Sequence, residues 1–422
     1  MDFFSPTGLL PVACITVIAL FSANFFVRNL STTDNHEFAS IDGLRGFLAL
    51  TVFIHHALYW FNYSKDLGWV NSSTNLFMNF GHASVSLFFM LTGFLFSLKL
   101  IDARNKEIDW LKLYCSRFMR LTPLYLFLMV AMFFIVFSET HFTLYEPLET
   151  VRTEIWYWLL FVIPGHPDIN TFPNTHLLTA GVIWTLPYEW YFYFLLPVLA
   201  IFVGAKSKAN SGIWLLLSSI CVIFFSAWQL NIDLFYAFGS GGLAAAIVRT
   251  PSLRQHFCGP QASWIALACF VIGYSCFAGN INFPRQVVLT TGLIFVACGT
   301  SIFGLLTMRS VRALSTISYG VYLLHGILLF ISFHYVVPTE TRLHLDMRHY
   351  WYFLFLFTPV LIAASTLSWY LIELPAINAA PRLSRWISTR LHPTQPAPIA
   401  TEPARSEQST QTKQTATLGQ GE

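Results

Sequence analysis

LRGFLALTVFIHHALYWF, from Leu44 to Phe61, carries a single formal charge, Arg45, at its leading edge. As a helix rising ~1.5 Å per residue it is about 27 Å long, close to the ~30 Å hydrocarbon thickness of a bilayer. The rest of the chain has the same character. Hydrophobic residues make up 55% of the 422 and charged residues 11%, against ~25% charge in soluble domains. Lipid is therefore the expected solvent, and the expected fold is an all-α polytopic membrane protein. Eleven spans are predicted: Gly8–Val27, Leu44–Phe61, Leu76–Leu98, Leu121–Ser138, Val182–Val203, Ile213–Trp228, Leu234–Val248, Ala262–Ala278, Gln286–Leu306, Thr316–Val336 and Tyr350–Ile372.

Loop charge sets the expected orientation, because cytoplasmic loops accumulate Lys and Arg. With the amino terminus outside, only Lys65, Arg152, Arg285, Arg342 and Arg348 of the 24 basic residues fall on the outer side. The leading MDFFSPTG carries Asp2 and no basic residue, so the first span reads as an uncleaved helix and not a secretory signal. After Pro393 the chain turns to Thr, Gln, Pro and Ala, a composition too polar to offset the entropy of ordering. The expected organisation is an extra N-terminal helix and linker over 1–37, a membrane domain over 38–392, and a disordered cytoplasmic tail over 393–422. A net charge of +3 without a dense basic run argues against nucleic acid. Seven cysteines without CxxC pairs or histidine clusters at ligand spacing predict neither a disulfide framework nor a metal site.

Ionisable groups deep in a span are functional candidates by default. His55 and His56 in the second span, Glu189 in the fifth and His325 in the tenth qualify, with Arg45 at an inner helix end. Arg45 and His56 are eleven residues apart, almost three turns, so they share one helix face about 16 Å apart along the axis. A guanidinium would sit at the cytoplasmic mouth of a cavity floored by an imidazole. Acyl transfer to a hydroxyl needs a base, and an imidazole kept from water stays neutral and able to accept that proton. His55 is turned ~100° away on the helix and reads as a packing residue. Arg117 and Arg120, three apart, present paired guanidiniums of the kind that grasp phosphate, although basic inner loops are common in all membrane proteins. The outer segment IWYWLLFVIP, Ile155 to Pro164, is too short to span and reads as re-entrant or interfacial, with Trp156, Tyr157 and Trp158 an aromatic belt before a sugar platform.

These strings together resemble the membrane-bound acyltransferase type 3 family over Ile41 to Pro375. IDGLRGFLALTVFIHHA (Ile41–Ala57) is similar to its opening signature, and VSLFFMLTGFLFS (Val85–Ser97) to its next helix. RFMRLTPLY (Arg117–Tyr125), WTLPYEWYFYFLLP (Trp184–Pro197), ISYGVYLLH (Ile317–His325) and the IELP ending in Pro375 follow in the family's order. The resemblance implies a ten-helix core, a catalytic role for His56 with Arg45 its partner, and donor binding by Arg117 and Arg120. It implies acceptor-binding or supporting roles for Glu189, His325 and Trp184. The implied reaction moves an acyl group, acetyl first, from acetyl-CoA or another acyl-CoA co-substrate to a hydroxyl of a surface carbohydrate such as lipopolysaccharide O-antigen, exopolysaccharide or capsule. No bound cofactor is implied, and the setting is a multi-pass protein of the inner (plasma) membrane. Three departures stand out: Trp190 replaces the second of two neighbouring acids, the first span is additional, and no soluble domain follows the core. A rival reading is a transporter or flippase with Arg45, His56 and Glu189 as a proton relay. It calls for paired broken helices, and Pro187 has no clear counterpart in the other half.

Overall fold

The computed structural model describes residues 8–27, 37–70, 74–104, 106–204, 206–207, 211–226, 232–278 and 281–391. The expected tail from Pro393 lies outside the described residues. The architecture is helical: α1 (Leu9–Phe26), α2 (Ala39–Tyr63), α3 (Asn75–Asp102), α4 (Trp110–Glu139), α5 (Leu148–Leu159), α6 (Leu186–Val203), α7 (Ser211–Ser226) and α8 (Ile232–Val248) form the first part. They are followed by α9 (Pro251–Arg254), α10 (Ala262–Ser275), α11 (Phe283–Ala297), α12 (Arg309–Thr316), α13 (Ser318–Ile331), α14 (Thr339–His344), α15 (Met347–Ser368) and α16 (Leu374–Leu391). Two residues of extended chain, Glu107–Ile108, pair in parallel with Lys206–Ser207.

Among the described residues, seven helices are long and apolar enough to cross a membrane, or eight if the pair Ile232–Val248 and Pro251–Phe257, bent by 98°, forms one span. The expected count was eleven. The difference lies in three shorter apolar helices, Gly212–Ile223, Ala262–Ser275 and Phe283–Ala297. Each reaches ~18 to 23 Å, short of a ~30 Å core unless the bilayer thins or the flanking chain descends with it. Phe21, Phe202, Leu356 and Val360 are exposed on helix surfaces, which suits chains whose surrounding medium is hydrocarbon and would be an aggregation liability in water.

The α3 and α8 helices meet backbone to backbone. A Cβ on Gly93 would lie 2.1 Å from the carbonyl oxygen of Phe238, and one on Gly241 would lie 2.0 Å from that of Met90. Small residues permit this close approach where dispersion contacts drive helix association. The N-terminal helix α1 packs against α12 and α15.

The segment between α4 and α6 is tied down by its polar groups. Asn170 is fully buried with a φ of 51°, a conformation that Asn tolerates better than most residues. Its side chain donates to Thr140 Oγ1 (3.2 Å) and to the Thr143 carbonyl (2.8 Å), and accepts from the Tyr145 amide (2.8 Å). Its own amide donates to Glu154 Oε2 at 3.0 Å. Of the three aromatics in the segment, Trp158 is buried, its Nε1 donating to the Pro167 carbonyl at 2.9 Å, whereas Trp156 is exposed.

Candidate active site

One cavity of about 180 Å³ gathers side chains from six helices, α2, α3, α4, α6, α12 and α13, far more space than the ~10–15 Å³ a single water needs. At its basic end stand Arg45 from α2, Arg117 and Arg120 from α4, and Ser315 from α12. Its walls are Val85, Phe88, Phe89 and Thr92 of α3, with Glu189 and Tyr193 of α6. Thr185, Ser318, Tyr319 and Tyr322 complete the lining.

The three arginines differ in their company. Arg45 Nη1 lies 3.5 Å from Asp42 Oδ1 on its own helix. Arg120 Nη1 lies 3.3 Å from Glu373 Oε2, and its guanidinium sits over the rings of Trp369 (5.3 Å) and Tyr319 (5.8 Å). Glu373 is 1% exposed and is delivered by a π-type turn, Trp369–Glu373, between α15 and α16, the kind of helical irregularity that gathers at functional sites. Arg117 stacks over Phe96 at 5.3 Å. Among the described residues it is the cavity arginine without a carboxylate within 4.0 Å. Glu189 accepts a 2.7 Å hydrogen bond from the Tyr193 hydroxyl one turn along α6.

His56 is not on the cavity wall. One turn beyond Tyr322 on α13, His325 is fully buried, its ring 6.4 Å from that of Tyr322. His325 Nε2 lies 3.1 Å from His56 Nδ1, with ring centroids 5.1 Å apart. On its other side the His56 ring is stacked 6.5 Å from Trp69. Between cavity and imidazoles stands a small polar partition. The Tyr322 hydroxyl donates to the Val182 carbonyl (2.9 Å) and shares a 2.9 Å hydrogen bond with Thr185. Arg45 and His56 thus lie on one helix, but His56 does not floor the cavity as expected: the open space stops at Tyr322, one helical turn before His325.

His55 is buried with Nδ1 2.8 Å from the Phe77 carbonyl, as a packing residue would be. Trp184 stands apart from the cavity wall, 39% exposed and edge-on to Tyr188 at 5.8 Å. Sequence reasoning singled out neither Glu373 nor Tyr322 as a site residue. Ser318, Tyr322 and His325 fall four and three apart, one helical face, and that spacing was the available signal for Tyr322. Glu373 reaches Arg120 across the fold, which no local spacing foretells.

Fold and site define a polytopic membrane protein with a cation-lined cavity that closes beneath an imidazole pair, His325 buried and His56 half-buried. The chain belongs to the acyltransferase type 3 family: the family model, described as "Acyltransferase domain", matches residues 38–373. A Bacillus subtilis (strain 168) protein named "Putative peptidoglycan O-acetyltransferase YrhL" is 26% identical over 339 residues, 69% of this chain and 49% of that protein. The chain therefore spans about half the length of the curated relative it matches. No solved structure matches it.

Proposed function

We propose that this acyltransferase takes an acyl group, acetyl first, from acyl-CoA on the cytoplasmic side and esterifies a hydroxyl of a cell-surface carbohydrate of a bacterial inner-membrane pathway. Lipopolysaccharide O-antigen, exopolysaccharide and capsule are the acceptor classes, and the name of the Bacillus relative adds peptidoglycan. The observation that carries the reading is the convergence of Arg45, Arg117 and Arg120 on one cavity, whose Tyr322 lies one turn from His325, the hydrogen-bond partner of His56. Guanidiniums there suit the phosphates of a coenzyme A donor. The aromatic and apolar walls suit its uncharged arm, and a turn of the Tyr322 ring would open the way to the imidazole.

In the reaction, the acceptor oxygen bonds to the thioester carbonyl carbon and its proton passes to His56. The carbon–sulfur bond breaks, and the coenzyme leaves as a thiolate that takes up a proton to become the free thiol. Arg45 and Arg120 are held by carboxylates, so Arg117 carries the greater share of phosphate binding. Glu189, set among the arginines and bonded to Tyr193, orients the donor end of the cavity. Mass spectrometry of surface glycan from a deletion strain, complemented with the intact chain or with His56→Ala, is the test. Ester groups are expected with the intact chain only; equal restoration by both removes His56 as the base.

A further inference from the structure

The hydrogen bonds at the imidazole pair leave one consistent placement of protons. A carbonyl oxygen only accepts. His325 Nδ1 lies 2.9 Å from the Val321 carbonyl, so Nδ1 carries the hydrogen and the neutral ring's Nε2 is a lone pair. His56 Nδ1 faces two acceptors, the Val52 carbonyl at 3.0 Å and that same His325 Nε2 at 3.1 Å. It must be the donor, shared between them. The remaining nitrogen of His56, Nε2, is then unprotonated.

We infer that His325 is a positioning residue that holds His56 as its Nδ1–H tautomer, so that His56 Nε2 presents the lone pair toward a reacting hydroxyl. The inference rests on the reading of His56 as the base and adds what selects its basic nitrogen. The geometry supplies a second benefit. When Nε2 takes the proton, the positive charge is shared with Nδ1–H, which already points at the His325 lone pair. A hydrogen bond from a charged donor is about twice as strong as a neutral one, so the contact tightens as the reaction proceeds. An imidazole needs an orienting partner for this, and here that partner is a second imidazole instead of a carboxylate. The ring of Trp69 on the opposite face and Phe53, 6.2 Å from the His325 ring, limit rotation of the pair.

Two measurements on the full chain in bilayers test it. In acetyl-CoA turnover, read as release of free coenzyme A thiol, His325→Ala is expected to lower kcat by about 10²-fold or more, as expected for a mis-set general base, with KM for acetyl-CoA within about threefold. His325→Gln, whose Oε1 can accept from His56 Nδ1, is expected to recover at least tenfold over the alanine variant. A His325→Gln no better than His325→Ala, or a change in KM alone, overturns the positioning role. Activity lost in His325→Ala but kept in His56→Ala also overturns it and removes the base assignment as well. Independently of turnover, 15N spectra of histidine-labelled protein, with the His56 signals assigned by difference from His56→Ala, are expected to show protonated Nδ1 and bare Nε2 in the neutral ring. The opposite tautomer refutes the inference even if no acyl transfer is detected.

Discussion

Replacing Gly241 by alanine tests whether the contact of α3 with α8 sets the shape of the arginine-lined cavity. The new Cβ would fall 2.0 Å from the Met90 carbonyl oxygen and 2.5 Å from the Phe94 amide nitrogen. Both are backbone atoms, so no side-chain rotation relieves the clash. Restoring an ordinary 3.4 Å contact needs a displacement of about 1.4 Å, and the helix that must yield carries Val85, Phe88, Phe89 and Thr92 of the cavity wall. Overpacking of this kind costs ~1–3 kcal/mol, and a misplacement near 1 Å can cost ~10²-fold in rate. Gly239, two residues away on the same helix, is the control, because a Cβ there would meet nothing within 4 Å. At that position the alanine gains up to ~1 kcal/mol of helix propensity. Thermal unfolding and acetyl-CoA turnover, measured in bilayers, should show Gly241→Ala destabilised and slowed and Gly239→Ala unchanged or slightly stabilised. Equal behaviour of the two variants would refute the argument.

Glu373→Gln withdraws the buried counter-charge from Arg120. A fully buried pair loses ~3–5 kcal/mol when one partner is removed; Arg120 is 26% exposed, so a loss of about 1–3 kcal/mol in unfolding free energy is expected, partly recovered when Arg120 is also changed to Gln. Arg117→Ala should raise KM for acetyl-CoA at least tenfold while leaving KM for acetyl-pantetheine, which has no phosphate, within twofold. In the segment between α4 and α6, burial and the neighbouring Glu146 and Asp168 push the Glu154 carboxyl above its usual range, against the Asn170 amide, which lowers it. The folded segment therefore binds a proton more tightly than the unfolded one, so its stability is greatest in acid and falls as pH rises through the folded-state pKa. Limited proteolysis of residues 140–181 should quicken as pH rises above the ordinary carboxyl range, and Glu154→Gln should weaken that dependence.

The helical membrane fold could be read from composition and run length, because a chain in lipid must satisfy its backbone internally and advertises the fact in long apolar stretches. Span number was less legible: α10 and α11 read as spans because apolar residues continue past Ser275 and Ala297, where the helices themselves end. The shared face of Arg45 and His56 followed from helical period alone. Their separation by the Tyr322 partition did not, since it depends on α6, α13 and the 3-10 turn Val182–Thr185 meeting in space. The pairing of Arg120 with Glu373 joins residues on α4 and beyond α15 and was hidden for the same reason.

The Tyr322–Thr185 closure has a physiological meaning for any cell that lives on ion gradients. A water-filled hole running from one face of a bilayer to the other would short-circuit the proton-motive force. Under the function proposed above, a pocket kept as a cul-de-sac, with two hydroxyls and a backbone carbonyl as the plug, would lead a charged coenzyme partway into lipid without becoming a leak.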